Sequence, residues 1–418
     1  MKREDTVPAI DGERLLQDMR ALAEFGHWET GVHRPNFSPQ DMQSREWLAR
    51  RMKEAGLESG IDGIGNVIGR SRGSGPRLLI GSHTDTQPYG GWLDGAMGVV
   101  YGIEVARAFA ADPDCAGLGI DVASWSDEEG HFGNLLGSRS FCDMVTEQEI
   151  DRAAHRDDKT PLRTVLAGVG LADRPRAKLE AGRYRGYLEA HIEQGPALEA
   201  DGLQLGIVTG IVGNVNHTLT FKGEQNHAGG TPMKLRKDAG TALIRLAAAI
   251  HDTFPKIAGP GSVWTIGKIT LDPGLKSIIP GQAEMLFQFR DVDAAYLSAM
   301  KKALEELVRE ANKGPCKITM TETSRTKEAG MDPGFQDQLE RAAERHAPGM
   351  HVRMPSGGGH DAQILAARLP AAMLFVPSIR GISHHHSENT KDEDIVLGCQ
   401  VLATAAAEIL RDARRSKA

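Results

Sequence analysis

Residues 78–95 read LLIGSHTDTQPYGGWLDG, and this stretch decides the fold class. Its first five residues are apolar or small, which is typical of a short strand buried in a sheet. A polar loop with His83, Asp85 and Asp94 follows at once. Because ligands of open α/β sheets bind beyond the carboxyl ends of the strands, this order predicts an α/β domain with a functional site beginning at His83. A solvated polar turn is the alternative interpretation.

Strand-like and helical segments alternate on both sides of this stretch. GIDVASWS (119–126) and AAMLFVPSI (371–379) are predicted to be further buried strands. Helical periodicity covers residues 12–24, 39–55, 96–111, 361–369 and 392–412. The alternation predicts an α/β protein with a mostly parallel sheet.

The middle of the chain follows a different pattern. Strands are predicted at 216–224, 262–272, 283–293 and 316–324, and helices at 237–254 and 294–313. The resulting order, β-α-β-β-α-β, is typical of a compact sheet backed by two helices. We therefore predict a smaller domain at 213–327, inserted into a larger domain formed by 1–212 and 328–418.

Composition narrows the class of protein. The 418 residues are 40% hydrophobic and 25% charged, as in ordinary globular proteins. A formal net charge of −7 speaks against nucleic acid as a partner. Four scattered cysteines indicate a reducing compartment and no thiolate metal site. The charged N-terminus lacks the apolar run of a secretory signal, and no run of about 18 apolar residues could span a membrane, so we expect a cytoplasmic protein with no membrane partner.

Histidines and carboxylates gather near the ends of the predicted strands. Beyond the first loop, the candidates are Asp127, Glu128, Glu129, His191, Glu193, His384, His385 and His386. Imidazole and carboxylate without thiolate suit Zn²⁺, Mn²⁺, Co²⁺ or Ni²⁺. A carboxylate can bridge two such ions in a hydrolytic site. Of the neighbours Glu128 and Glu129, one could bind metal while the other takes a proton from water.

Six segments then identify a family resemblance. HTDT…GGWLDGAMGV, WSDEEG, YLEAHIEQGP, NHAGGTPM, SGGGHDA and GISHHHSE occur in this order across residues 83–388. Together they resemble the dinuclear-metal M20 amidohydrolases of the hydantoinase/carbamoylase group, which includes N-carbamoyl-L-amino acid hydrolases, allantoate and ureidoglycolate amidohydrolases and β-ureidopropionase. The resemblance implies two divalent metal ions per chain, and a lid and dimerisation role for the inserted domain.

The resemblance also implies roles for the clustered residues. The metal ligands would be His83, Asp94, Glu129, His191 and His384, with Asp94 bridging both ions. Asp85 would orient the His83 ring, and Glu128 would be the general base. His385 and His386 are alternatives to His384. We expect Gly90, Gly91 and Gly95 to let the metal loop fold back, because glycine tolerates positive φ.

Further residues are implied to bind substrate. His227 would stabilise the oxyanion, reaching the partner's site in a homodimer. Gln194 and Arg290 would grip the substrate, the latter by pairing with a carboxylate. Gly358 would let the backbone approach the substrate, and Ser277 stands where the family usually has an asparagine. The adjacent His360 and Asp361 would support the site.

The implied reaction is cleavage of a linear C–N bond in a small ureido or amide carboxylate. The expected substrate is an N-carbamoyl amino acid or a related ureido acid, and ammonia and CO2 are released. An M20 peptidase or N-acyl-amino-acid deacylase is one alternative, because it would use the same metals on an amide. A non-catalytic dimeric binding protein that keeps the fold is another.

Overall fold

The computed structural model describes residues 7–415. The chain divides into two compact units, Met1–Thr209 with Met331–Ala418, and Gly210–Gly330. The second unit therefore begins three residues earlier and ends three residues later than the segment 213–327. Within the described part of the chain, no helix is both long and apolar enough to cross a lipid bilayer.

A mixed sheet lies at the centre of the first unit. From one side to the other its strands run Ala329–Gly330, Leu205–Ile211, Ala371–Val376, Tyr184–Ile192, Arg77–His83, Gly119–Trp125, Val67–Arg70 and Glu58–Ile61, and His351–Ser356 also pairs with Leu205–Ile211. The four strands from Ala371–Val376 to Gly119–Trp125 are parallel. The outer pairings are antiparallel. The predicted α/β class with a mostly parallel sheet is confirmed.

Burial explains why the central strands read as nearly continuous apolar runs. Arg77–His83, Gly119–Trp125 and Ala371–Val376 are buried along their whole length. A parallel sheet is covered on both faces, so its strands need apolar residues on both sides. Helix Ala96–Ala111 packs on two of these strands and Asp392–Arg415 on the third. Because the strands are parallel, the loops after them meet at one edge of the sheet.

Four helices of the first unit match the longer helical segments predicted at 12–24, 39–55, 96–111 and 392–412. The helices of this unit are Gly12–Ala23, Pro39–Glu54, Ala96–Ala111, Leu136–Phe141, Glu147–Arg152, Leu162–Gly168, Ala197–Ala200, Pro333–His346, Asp361–Leu365 and Asp392–Arg415, with 3-10 turns at Pro113–Cys115 and Ile379–Gly381. A hairpin of His27–Trp28 and Gly31–Val32 precedes the second helix. Five of these helices, from Leu136–Phe141 to Pro333–His346, were not predicted.

Two predicted elements are shorter than expected, and proline accounts for the shorter strand. The helix predicted at 361–369 ends at Leu365, and Pro370 follows after a tight turn. The proline keeps helical structure from continuing past Leu369, because the residue before a proline avoids the α conformation. The strand predicted at 371–379 ends at Val376, because Pro377 has no N–H to donate to a neighbouring strand.

The second unit has a four-stranded antiparallel sheet with two helices packed on it, and a separate two-stranded antiparallel sheet of Asn226–His227 and Ile278–Ile279. The strands of the larger sheet lie in the order Val263–Asp272, Gln282–Asp291, Gly213–Lys222 and Lys317–Thr326. The helices are Ala239–Thr253 and Ala294–Ala311, and the 3-10 turns are Met233–Leu235 and Phe254–Lys256. Apolar side chains of the sheet and both helices form a separate core. The predicted β-α-β-β-α-β order is confirmed.

Candidate metal centre

Two buried histidines and an aspartate meet at the carboxyl edge of the sheet. His83 is the last residue of its strand, and His191 lies near the end of the adjacent parallel strand. Their Nε2 atoms lie 3.8 Å and 3.0 Å, respectively, from Oδ1 of Asp94. All three side chains are almost completely buried. The two strands thus supply one group of possible metal ligands.

The hydrogen bonds at Nδ1 leave Nε2 of each ring facing Asp94, and Nε2 of His191 also accepts a hydrogen bond from the main-chain N–H of Gly95 at 3.2 Å. Nδ1 of His83 lies 3.0 Å from the main-chain oxygen of Asp85, and Nδ1 of His191 lies 2.8 Å from that of Ile192. Since a carbonyl oxygen only accepts, each Nδ1 carries the hydrogen, and a neutral ring then has its lone pair on Nε2. A lone pair that faces a carboxylate oxygen requires a proton or a cation between them. This group therefore fits a metal ion.

A second group of possible ligands shares Asp94. Donor atoms of Asp94, Glu129 and His384 lie within 4.8 Å of one another. Nε2 of His384 is 3.3 Å from Oδ2 of Asp94, the oxygen that does not face the first group. One carboxylate thus presents one oxygen to each group, as a bridging ligand of two ions does. His384 has a positive φ of 55° and a side chain that is 51% exposed.

The charges around Asp94 also favour cations. Burial raises the pKa of Glu128 well above its usual value, and the charge of Glu129 raises it further. Burial and the charge of Asp94 raise the pKa of Glu129 to about 7. Burial alone would raise the pKa of Asp94 as well, but the neighbouring rings of His191 and His384, in their protonated form, hold it well below its ordinary value. Bound cations would offset the repulsion among these carboxylates.

Glu128 lies beside the first group without being part of either one. Its Oε2 atom is 3.7 Å from Nε2 of His83. Its side chain is 12% exposed, so the protein does not enclose it completely. This placement suits a base that acts on a water molecule next to the metal ligands.

Asp85 connects the first ligand loop to the second. Its carboxylate accepts hydrogen bonds from the main-chain N–H groups of Glu128 (3.4 Å) and Glu129 (3.2 Å), and Oδ1 lies 3.7 Å from Nδ1 of His83. His131, which the sequence did not suggest, approaches from the other side at 3.6 Å. Burial lowers the pKa of His131, yet the carboxylates of Asp127 and Asp85 raise it to about 9.

Gln87 is a second residue that sequence reasoning missed. Its main-chain N–H and side-chain amide donate to the carboxylate of Glu129, over 3.0 Å and 2.7 Å. Gln87 belongs to the quoted loop, but a lone glutamine between two turns carries no pattern that points to a function. Its contact depends on how two distant loops meet.

The three loop glycines serve different purposes, so the single explanation by positive φ was wrong for two of them. Of the three, Gly95 alone has a positive φ, 66°, and a Cβ there would overlap the ring of His83. A Cβ on Gly91 would overlap the carboxylate of Glu388. At Gly90 the nearest atom to such a Cβ would be a main-chain oxygen at 3.1 Å. Close approach, more than φ, excludes a side chain at Gly91.

Gln194 lies directly beside the ligands. Its Nε2 atom is 3.2 Å from Oδ1 of Asp94 and 3.2 Å from Nε2 of His384. A Cβ on Gly358 would lie 3.1 Å from Oε1 of Gln194, so the glycine keeps this space open. The ring of His360 packs edge-on against that of His191, with centroids 4.5 Å apart.

The remaining candidates in the first unit lie outside both groups of possible ligands. Nδ1 of His385 lies 2.9 Å from Oγ of Ser387, and Nδ1 of His386 lies 3.1 Å from a carboxylate oxygen of Glu29. Glu193 accepts hydrogen bonds from N–H groups at the start of helix Ala197–Ala200. Asp361 is buried, and burial raises its pKa well above the ordinary value.

Three of the expected substrate residues belong to the second unit. Nδ1 of His227 accepts hydrogen bonds from the N–H groups of Gly229 (3.1 Å) and Gly230 (2.8 Å), which leaves the hydrogen of a neutral ring on Nε2. The main-chain oxygen of Ser277 accepts from Ala228 nearby. Arg290 donates from Nε and Nη2 to Oε1 of Gln288, at 3.2 Å each.

Comparisons with known proteins give one consistent picture. The sequence profile of peptidase family M20/M25/M40 matches residues 79–408. The chain is 34% identical over 410 residues to the N-carbamoyl-L-amino acid amidohydrolase of Geobacillus stearothermophilus, covering 94% of this chain and 97% of that one. It is 31% identical over 392 residues to the allantoate amidohydrolase of Escherichia coli, with coverages of 91% and 94%. The crystal structure of a hydantoinase/carbamoylase family amidase from Burkholderia phymatum superimposes with a TM-score of 0.92, at 47% identity and coverages of 97% and 99%.

Proposed function

Because the chain belongs to peptidase family M20/M25/M40 and is an amidohydrolase akin to its hydantoinase/carbamoylase members, we propose that it cleaves the ureido group of an N-carbamoyl amino acid or a related ureido acid. The products are ammonia, CO2 and an amine. The observation that carries the proposal is Asp94, whose two oxygens face two separate groups of possible ligands. Such a carboxylate is what a hydrolytic pair of ions requires.

The proposed cofactors are two divalent cations, Zn²⁺, Mn²⁺, Co²⁺ or Ni²⁺. His83, His191 and Asp94 would hold one ion, and Asp94, Glu129 and His384 the other. When bound, such ions polarise the substrate carbonyl and make a nearby water more acidic. In the same proposal, Asp85 fixes the orientation of the His83 ring.

Glu128 moves the proton in this reaction. Its carboxylate takes a proton from water, which then attacks the carbonyl carbon of the ureido group. The protonated Glu128 next gives this proton to the leaving nitrogen. Burial of the side chain favours the protonated form, which makes Glu128 a stronger base than an exposed carboxylate. Its 3.7 Å distance from Nε2 of His83 supports a position next to the reacting water.

Five further residues bind the substrate in this proposal. The Nε2–H group of His227 of the partner subunit stabilises the negative charge that develops on the carbonyl oxygen. Arg290 pairs with the substrate carboxylate through its planar guanidinium. Ser277 immediately precedes strand Ile278–Ile279, which pairs with strand Asn226–His227, and this proximity supports a shared role for Ser277 and His227. Gln194 and Gly358 line the substrate side of the ligand cluster.

We propose a homodimer formed through the second unit, which also acts as the lid. Val263–Asp272 is an edge strand, and the side chains of Val263 and Ile269 are more than half exposed. Ile244, on the outer face of helix Ala239–Thr253, is 63% exposed. An edge strand with exposed apolar side chains is a surface that pairs readily with another strand.

The four cysteines are free and buried, which supports a reducing, cytoplasmic location.

A substrate panel tests the proposed reaction. Apoprotein reloaded with Mn²⁺, Zn²⁺, Co²⁺ or Ni²⁺ is given N-carbamoyl amino acids, allantoate, ureidoglycolate, dipeptides and N-acetyl amino acids, and ammonia and amine release are measured. We expect ammonia from the ureido compounds. Faster cleavage of dipeptides or N-acetyl amino acids would instead establish a peptidase or deacylase. No turnover of any compound by the fully loaded protein would favour a binding protein.

A further inference from the structure

Glu388 occupies the space between two of the loops that carry ligands. It lies four residues after His384, is 1% exposed, and has no role in the proposed reaction. Its carboxylate is directed toward the loop that ends in Asp94. The glycine at position 91 makes this approach possible, because a Cβ there would overlap the carboxylate.

The contacts of Glu388 join the two loops. Oε1 accepts hydrogen bonds from the main-chain N–H groups of Leu93 (3.2 Å) and Asp94 (3.0 Å). Oε2 accepts from the hydroxyl of Ser383, at 2.8 Å. Ser383 immediately precedes His384. One carboxylate therefore fixes the backbone of the shared ligand and the residue next to the last ligand.

Gln194 connects Ser383 to the side chain of Asp94. Oγ of Ser383 lies 3.2 Å from Nε2 of Gln194, and that same nitrogen lies 3.2 Å from Oδ1 of Asp94. Glu388, Ser383 and Gln194 thus link the main chain of Asp94 to its own carboxylate. We call Glu388, Ser383 and the N–H groups of Leu93 and Asp94 the Glu388 clamp.

We propose that Glu388 is a positioning residue, which sets the distance between Asp94 and His384 and thereby the affinity for the second cation. The inference rests on the proposed pair of ions. His83 and His191 are held by sheet strands and by carbonyl oxygens, so the clamp is not needed to place them. His384 lies on a loop with a half-exposed side chain and depends on the clamp.

Metal titration of four variants tests the clamp. Chelated wild type, E388A, E388Q, S383A and a control are titrated with Mn²⁺ in a calorimeter, and the two binding steps are fitted separately. The control is D62A, because Asp62 is also a buried carboxylate that accepts main-chain hydrogen bonds, in its case from Ile64, Asn66 and Ala177, which are not among the proposed ligands. Thermal unfolding of each apoprotein reports on stability alone.

E388A should raise the dissociation constant of the weaker Mn²⁺ binding step by about 10–100-fold, as loss of a residue that supports a metal ligand does. The dissociation constant of the stronger step should change by less than about threefold. The glutamine in E388Q keeps one oxygen that can accept from both N–H groups, and its amide N–H can donate to the hydroxyl oxygen of Ser383. E388Q should therefore restore most of the affinity. S383A should weaken the same step, to a smaller extent. D62A should lower the unfolding temperature and leave both steps unchanged.

Several results would overturn the clamp. The first is that E388A binds Mn²⁺ with wild-type affinity in both steps, and the second is that it loses affinity equally in both. The third is that D62A loses as much affinity as E388A does. Should E388A not fold, S383A decides, and an unchanged weaker step in S383A rejects the inference. The wild-type titration separates the two proposals. Fewer than two ions there refutes the metal pair itself, whereas two ions together with an unaffected E388A refutes the clamp alone.

Discussion

The two halves of the ligand cluster are built in different ways. His83 and His191 lie on adjacent parallel strands, almost fully buried, each with its Nδ1 atom next to a main-chain oxygen. Glu129 and His384 lie on loops and are oriented by the side chains of Gln87 and Gln194. Sheet hydrogen bonds fix the first half, while the second depends on a few side chains. We therefore expect unequal affinities for the two ions.

The largest expected effect falls on a residue outside both halves. In E128Q the carboxylate is replaced by an amide of the same shape that cannot take up the proton. We expect turnover to fall by about 10²–10⁴-fold, the usual contribution of a general base. Metal content, measured by elemental analysis, should stay at the wild-type value. Full activity in E128Q would refute the proton-transfer role, and loss of an ion would place Glu128 among the ligands.

The comparison itself is tested by removing one histidine from each half. H191A should weaken the stronger binding step, and H384A only the weaker one, by more than the 10–100-fold typical of supporting residues. H385A is the matched control for H384A, since His385 contacts Ser387. The two steps are followed by calorimetric titration of apoprotein. If H384A weakens the stronger step as much as H191A does, the two halves are not distinct.

The smallest expected effect concerns Gln87. Q87A removes the amide that donates to Glu129 over 2.7 Å, so the weaker step should lose affinity by about tenfold, the lower end for a supporting residue. In the control Q204A, a glutamine that donates to Asp394 over 2.8 Å is removed. Its titration should match the wild type. Equal behaviour of Q87A and Q204A would mean that Glu129 needs no support from its neighbour.

The sequence predicted the parts of the molecule that are encoded locally. Three central strands of the larger sheet read as apolar runs, and the four strands and two helices of the inserted sheet follow from their order along the chain. The residues of the ligand cluster come directly after such runs or within recognisable family segments, so His83, Asp94 and His384 were named in advance. Their convergence on Asp94 follows because loops after parallel strands meet at one edge.

The supporting residues were missed because their roles depend on tertiary contacts. Glu388 contacts a loop that lies almost 300 residues earlier in the chain. Gln87 and His131 act on carboxylates of other segments, and neither residue type is unusual in a polar loop. The reason for Gly91 was likewise hidden, since the overlap that excludes a side chain comes from Glu388.

The central claim is that Asp94 joins two ligand groups into one site for a pair of ions. Its most direct test is metal content by elemental analysis, after chelation and reloading, of wild type and D94N. We predict two ions per chain in the wild type and fewer in D94N, because the amide offers one oxygen where the carboxylate offers two. Two ions retained by D94N, or none bound by the wild type, would contradict the account.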